Sequence, residues 1–382
     1  MAFTNYQIFL ALLQITTGSI NTLSTKWADT VESADSSGNK KEFKHPFVQA
    51  CAMFLGEFLC LLTFKAVYFT LRRKRDGSED ENTLTKGTRE FNAFTLYIPA
   101  ICDMVGTSLM YIGLNLTFAS SFQMFRGAVI IFVALLSVAF LQRRLVAREW
   151  IGIFVIVLGL AMVGAADMLV STDDSKHSRN DIITGDLLIL TAQIITAVQM
   201  VYEEKFVAGL DIPALQAVGY EGLFGFATLG ALLVPFYYIK VGPPFSDNTT
   251  GSLENVFDAL YQIKNSWQIL VSILGTVVSI AFFNYAGISV TKEISATTRM
   301  VLDSVRTLVI WVFSMVIGWQ VFQPLTLCGF VFLLFGMCLY NNILICQTYR
   351  FIRDSCTRRI YGNVVNETNV IVNRPADDTS NP

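Results

Sequence analysis

Charge is what this 382-residue chain has least of: Asp, Glu, Lys and Arg make up 15% of it, where a soluble domain carries about 25%. Histidine is nearly absent, with His45 and His177 alone, and the seven cysteines are scattered instead of set at ligand spacing. No nucleophile elbow, phosphate-binding glycine loop or His-Glu-x-x-His pair occurs. These absences exclude a His/Cys metal centre and the common nucleophile chemistries, so neither an enzyme nor a bound cofactor is expected. A formal net charge of −2 leaves no basic footprint for nucleic acid. Hydrocarbon takes the place of charge. The chain is 53% hydrophobic with 30 phenylalanines, and its mean hydropathy is +0.50. That is the composition of a polytopic membrane protein.

A helix crossing a bilayer needs about 20 mostly apolar residues. Ten runs qualify: 5–27 (within the segment 1–27), 47–70, 92–116, 119–141, 149–169, 183–206, 214–239, 267–290, 296–319 and 323–346, with 347–382 left as a tail. The first run has no basic stretch before it and carries a polar stripe, so it reads as a span and not as a cleaved leader. Loop charge sets the orientation. With a cytosolic N-terminus, sixteen Lys and Arg fall on the cytosolic side, among them Arg72, Arg73, Arg143, Arg144, Lys292 and Arg299, and seven on the other. Both termini are therefore expected in the cytosol.

Asn248-Thr249-Thr250 is a glycosylation acceptor in the longest non-cytosolic loop, within reach of a lumenal enzyme. The tail contains Tyr361-Gly362-Asn363-Val364, the tyrosine–x–x–bulky-apolar form that endosomal adaptors read as an added strand. Tyr361 and Val364 are the candidate sorting residues.

The second half of the chain repeats the first. Tyr111-Ile112-Gly113-Leu114 recurs 174 positions later as Tyr285-Ala286-Gly287-Ile288, and at a shift of 177 Ala119 matches Ala296, Gly152 matches Gly329 and Gly159 matches Gly336. A five-helix unit is odd, so its second copy must insert upside down. The expected fold is all-α: ten transmembrane helices as a 5+5 inverted repeat, the architecture of secondary carriers that bind solute near the midplane. The loops agree. Gln142-Arg143-Arg144-Leu145 follows the fourth run, and its counterpart Trp319-Gln320-Val321-Phe322 is uncharged.

Ten helices as five plus five, with a glycine-marked fifth and tenth, resemble the drug/metabolite transporter superfamily. Several strings look more narrowly like the solute carrier 35 family, subfamily F. They are Thr17-Gly18-Ser19-Ile20-Asn21-Thr22, Met53-Phe54-Leu55-Gly56-Glu57-Phe58, Ser121-Phe122-Gln123-Met124-Phe125-Arg126-Gly127, Glu221-Gly222-Leu223-Phe224-Gly225 and Ala296-Thr297-Thr298-Arg299-Met300-Val301-Leu302-Asp303. The resemblance implies a carrier in lysosomal or other endomembranes and leaves its substrate open. The GDP-mannose carriers of the superfamily have Gly-Ala-Leu-Asn-Lys where this chain has Ser295-Ala296-Thr297-Thr298-Arg299, which speaks against nucleotide recognition. The chloroquine-resistance type carries lumenal loop cysteines that this chain lacks.

Ionisable groups inside spans cost about several kcal/mol each and mark functional sites. Glu57, Asp103 and Arg306 lie about 15 Å deep, and Arg126, Glu221 and Asp303 about 10 Å. Arg299, Asp303 and Arg306 share a face at i, i+4 and i+7. Gln14, Thr17, Asn21 and Thr25 form a stripe on the first helix, and Gln193, Thr196, Gln199 and Glu203 one on the sixth. The candidate substrate-binding residues are Asn21, Glu57, Asp103, Gln123, Arg126, Gln193, Gln199, Glu221, Asp303 and Arg306. The stripes fit interhelical hydrogen bonds equally well, and Asp303 could simply neutralise its arginine neighbours. Gly152, Gly159, Gly329 and Gly336 read as packing glycines. Four deep acids against two deep arginines give −2, and an acidic, protonatable cavity suits a zwitterionic or cationic solute moved with proton coupling.

The expectation is a secondary-active, alternating-access carrier of the lysosomal or endosomal membrane. Its expected partners are a small-molecule solute, the lipid bilayer, a sorting adaptor and a second copy of the chain. One alternative is nucleotide-sugar transport in the Golgi. Another is a carrier-fold interaction protein that acts on another membrane protein or on mitochondrial membrane potential.

Overall fold

The computed structural model describes residues 4–35, 38–74, 82, 84–117, 119–170, 179–242, 251–317 and 324–340. They are mostly helical. Helix α1 (Asn5–Thr30) starts on a capping box: the Thr4 hydroxyl accepts from the Gln7 N–H (3.3 Å), and the Thr4 N–H donates back to the Gln7 side chain (3.1 Å). A short antiparallel hairpin follows, β1 (Glu32–Ala34) with β2 (Lys40–Glu42). Next come α2 (Pro46–Lys74), α3 (Tyr97–Leu116), α4 (Ala119–Phe125) and α5 (Val129–Phe140). The rest are α6 (Ala147–Val170), α7 (Arg179–Glu203), α8 (Ala214–Tyr238), α9 (Val256–Asn265), α10 (Trp267–Glu293), α11 (Ala296–Val316) and α12 (Pro324–Tyr340).

Among the described residues, six helical stretches are long and apolar enough to cross a membrane: Pro46–Arg73, Ala93–Leu114, Ala147–Ala166, Asn180–Ala208, Ala214–Tyr238 and Trp267–Glu293. Arg126–Phe140 and Pro324–Tyr340 are shorter apolar helices. Burial is inverted relative to a soluble domain. Gln14, Glu57, Gln193, Glu203 and Arg306 are buried, while Phe9, Phe154, Val278 and Val316 are exposed. A surface of this kind belongs in hydrocarbon, with the polar groups satisfied inside.

The helices pack in pairs: α1 with α10, α3 with α7, α2 with α8, and α6 with α12. Lesser contacts join α5 to α7, α1 to α11, α2 to α10 and α3 to α8. The α6–α12 pair is antiparallel and meets through glycines. A Cβ on Gly159 would stand 2.7 Å from the Gly329 carbonyl oxygen, and one on Gly336 would stand 2.8 Å from that of Gly152. Glycine lets the two backbones touch.

The β1–β2 hairpin departs from the all-α expectation, the run 183–206 ends in a π turn at Glu204–Ala208, and two further stretches differ. The run 119–141 is not one helix, because a 3-10 turn at Arg126–Ala128 separates α4 from α5. Gly127 in that turn has low helix propensity, and tightening to 3-10 pitch re-aims the side chains on either side of it. The loop 240–266 contains α9, which is capped by the Asn255 side chain accepting from the Asp258 N–H (3.2 Å). Ten amphipathic residues fall below a search for twenty apolar ones. His45 ties α9 to the start of α2: its Nδ1 lies 2.7 Å from Glu254 Oε1, and Glu254 Oε2 accepts from the Phe47 N–H (3.1 Å). Ala28, Val31, Phe43, Ala259 and Ile269 close the small core beneath.

Candidate functional site

Helices α1, α2, α3, α7, α10 and α11 enclose a cavity of about 140 Å³, with Phe122 of α4 and Arg126 completing its wall. Asn21, Glu57, Asp103, Arg126, Gln199, Asp303 and Arg306 line it. An adjoining chamber of about 30 Å³ is lined by Arg126, Gln193, Asp303 and Arg306 with Thr196 and Thr307. Glu221 lines neither. The Gln123 side chain, Asn248, Tyr361 and Val364 lie outside the described residues.

Arg306 reaches the cavity because Gly18 of α1 leaves room, since a Cβ there would stand 2.6 Å from the Phe283 ring and would also meet the Arg306 side chain. The Arg306 guanidinium lies over Phe283, 4.6 Å from the ring centre, and its Nε is 3.7 Å from Asp303 Oδ1. Asp303 also accepts from Gln14 Nε2 (3.3 Å), which reaches the Arg299 carbonyl as well (3.3 Å). Arg126 lies over Phe122, 5.8 Å from the ring centre. Among the described residues no carboxylate is within ion-pair distance of Arg126. Arg126 and Asp303 therefore share both chambers without touching.

The acids are held differently. Glu57 accepts from Asn284 Nδ2, and Asp103 accepts from the Thr107 hydroxyl (3.0 Å). Asn21 donates to the Thr276 carbonyl (3.3 Å), so it fastens α1 to α10 while facing the cavity. Gln193 donates to the Ile189 carbonyl of its own helix (3.4 Å).

Sequence reasoning left several lining groups out of the site. Arg299 counted among the loop charges, yet it is buried and pairs with Glu203. Gln199 Nε2 donates to the other oxygen of that carboxylate (2.9 Å). Gly287, one of the repeat glycines, leaves the space Arg299 occupies, for a Cβ there would lie 2.8 Å from Nε. Lys26, Thr25, Asn284 and Phe283 also line the wall. Both stripes contained the signal: Glu203 continues Gln193–Thr196–Gln199, and Lys26 follows Thr25. The lining holds four cations (Lys26, Arg126, Arg299, Arg306) and three carboxylates (Glu57, Asp103, Asp303), so the cavity wall is of mixed sign and not the acidic wall the sequence tally predicts.

The sequence model of nucleotide-sugar transporters matches residues 9–216. Solute carrier family 35 member F6 of Homo sapiens is 55% identical over 344 residues, which cover 90% of this chain and 91% of that protein. A UDP-galactose transporter of Schizosaccharomyces pombe is 27% identical over 160 residues, 42% of this chain and 45% of its own. A solved crystal structure aligns with a TM-score of 0.52 at 15% identity over 89% of this chain and 98% of its own, a likeness of fold alone.

Proposed function

From the premise that the chain belongs to the nucleotide-sugar transporter family, alongside the solute carrier 35 member F6 proteins, we propose that it is a secondary-active carrier for a small solute bearing both charges. The observation that carries this reading is the cavity itself. Its volume, about 140 Å³, is close to that of an engineered cavity of about 150 Å³ that holds one benzene. An amino acid or similar metabolite is of that order, and a nucleotide sugar is several times larger.

The wall offers two poles. Arg306 is paired with Asp303, and among the described residues Arg126 has no carboxylate within ion-pair distance, which leaves positive charge for a solute anion. Asp103, which accepts from the Thr107 hydroxyl and has no ion-pair partner among the described residues, faces a solute amine with Glu57 beside it. Asp303 is a poorer amine acceptor than Asp103, because Arg306 and Gln14 already occupy it.

Alternating access is the mechanism we attach to this site, on a 5+5 inverted repeat. The pairing pattern supports the repeat. Exchanging α1 with α7, α2 with α8, α3 with α10, α4 and α5 with α11, and α6 with α12 turns the α1–α10 pair into α7–α3 and the α5–α7 contact into α11–α1. The α2–α8 and α6–α12 pairs map onto themselves. Loop charge supports cytosolic termini, and the tail motif supports a lysosomal or endosomal membrane.

The test is uptake by the purified chain in proteoliposomes, with labelled zwitterionic amino acids, labelled polyamines and a labelled nucleotide sugar offered separately. Amino-acid uptake supports this reading. Uptake of the nucleotide sugar alone supports the second reading, which the family match and the unshared charge of Arg126 favour. An untargeted metabolite comparison of organelles from knockout and normal cells then names the solute.

A further inference from the structure

Glu221 stands apart from the other candidate residues. It is 5% exposed, lines neither chamber, and its Oε1 has no hydrogen-bond partner. Three other carboxyls lie within electrostatic range of it. Helix α8 lies against α2 with Gly222 seated on the Cβ of Glu57, and the charges of Glu203, Glu57, Asp103 and Arg299 all act on Glu221.

The cluster draws on every helix around it. Glu57 comes from α2, Asp103 from α3, Glu203 from α7, Glu221 from α8 and Arg299 from α11. Helix α10 contributes the uncharged Asn284, which donates to Glu57. The thiols of Cys60 and Cys102 lie within electrostatic range of Glu57 and Asp103, the former directed at the Gly56 and Ala281 carbonyls, and Asp303 acts on Arg299 from the next turn of α11. Arg299 is committed to Glu203. Among the described residues, Glu57, Asp103 and Glu221 have no ion-pair partner.

Three buried carboxyls without a cation of their own are costly to keep ionised. A bound metal ion is one remedy, but among the described residues no group of three or more His, Cys, Asp or Glu side chains is placed to hold one. A proton needs no coordination shell and neutralises a single carboxylate where it stands.

We propose that Glu57 and Glu221 form the binding site of a coupling proton, adjoining the solute cavity through Glu57. Binding transfers one proton from water to a carboxylate oxygen, and release returns it. Glu57 lines the cavity and Glu221 lies behind it, so a solute in the cavity senses whether the pair is protonated. The coupling role rests on the carrier reading above; the proton site does not.

Infrared difference spectra of the purified full-length chain across a pH step read the C=O stretch of protonated carboxyls. The expected result is an acid band that shifts when glutamate is carbon-13 labelled in the unmutated chain, and that falls in both Glu221→Gln and Glu57→Gln. A spectrum without a glutamate-dependent band, or with one unchanged in both variants, overturns the site. The labelled wild type answers even if a variant does not fold. In proteoliposomes carrying an inward proton gradient and a labelled mixture of zwitterionic amino acids, wild type should accumulate label several-fold, and Glu221→Gln should only exchange it. Gradient-driven accumulation by Glu221→Gln overturns the coupling. If no chain moves label, the carrier reading fails and takes the coupling with it, while the infrared result still decides the proton site.

Discussion

Arg299 on α11 and Glu203 on α7 form an ion pair with 5% and 0% of their surfaces exposed. The pair stands at one end of the cavity. Gln14 touches the Arg299 carbonyl, and Lys26 lines the far end of the same α1, twelve residues and about 18 Å further along. Two helices that share no turn are locked there by a contact that excludes water.

Removing one partner leaves the other charge buried and alone, which typically costs about 3–5 kcal/mol. Glu203→Ala and Arg299→Ala should each lower the melting temperature of the detergent-purified chain by a large margin. The double variant Glu203→Leu with Arg299→Met should melt above either. Additive losses would mean that the two groups do not depend on one another.

Arg126→Ala and Asp303→Ala should each abolish solute uptake while leaving expression intact. The exchange Arg126→Asp with Asp303→Arg should not restore it. An arginine at position 303 would face Arg306, whose Nε now lies 3.7 Å from the Asp303 carboxylate. Near-normal uptake by the exchanged chain would show that the two are a structural pair and not separate contributors to the solute site.

Alanine at Gly159 or Gly329 would push a Cβ into a facing backbone carbonyl at 2.7 or 2.8 Å, and overpacking of this kind costs about 1–3 kcal/mol. Gly230, inside α8, has nothing within 4 Å. Gly230→Ala should therefore gain up to about 1 kcal/mol of helix propensity. Melting temperatures that fall for the first two and hold or rise for the third are the expected pattern.

Asn248 should carry glycan if its loop is lumenal. A glycosidase should shift the protein's gel mobility, and Asn248→Gln should abolish the shift. Glycan on Asn366 instead would reverse the orientation.

The tail motif makes a cellular prediction. Tyr361→Ala should divert the protein from lysosomes to the cell surface, and unchanged lysosomal staining would remove the motif from the argument.

Apolar runs show where helices lie but poorly how they end or break. The runs at 214–239 and 267–290 coincide with Ala214–Tyr238 and Trp267–Glu293, because a long hydrocarbon stretch leaves the backbone few alternatives to a helix. The 3-10 turn at Arg126–Ala128 and the π turn at Glu204–Ala208 escape such a reading, since neither contains proline and both depend on what packs alongside. Seven of the ten candidate residues line the main cavity; depth along the helix finds the five charged ones, and the polar stripes find Asn21 and Gln199. Arg299 and Glu203 sit close to helix ends, where charges ordinarily reach for water. Their pairing spans 96 positions, and only packed helices reveal it. Depth also cannot separate Glu221 from its neighbours, because it measures height in the membrane and not which wall a side chain stands behind.

The glycine seam between α6 and α12 has a mechanical consequence. Gly159 meets Gly329 and Gly152 meets Gly336, so the contact looks alike from either side and brings two backbones together, with Ile156, Val163 and Leu333 packed beside them. On the alternating-access reading proposed above, such a seam is where two rigid helices tilt on one another with the least to displace, and it would serve as the fulcrum of the stroke.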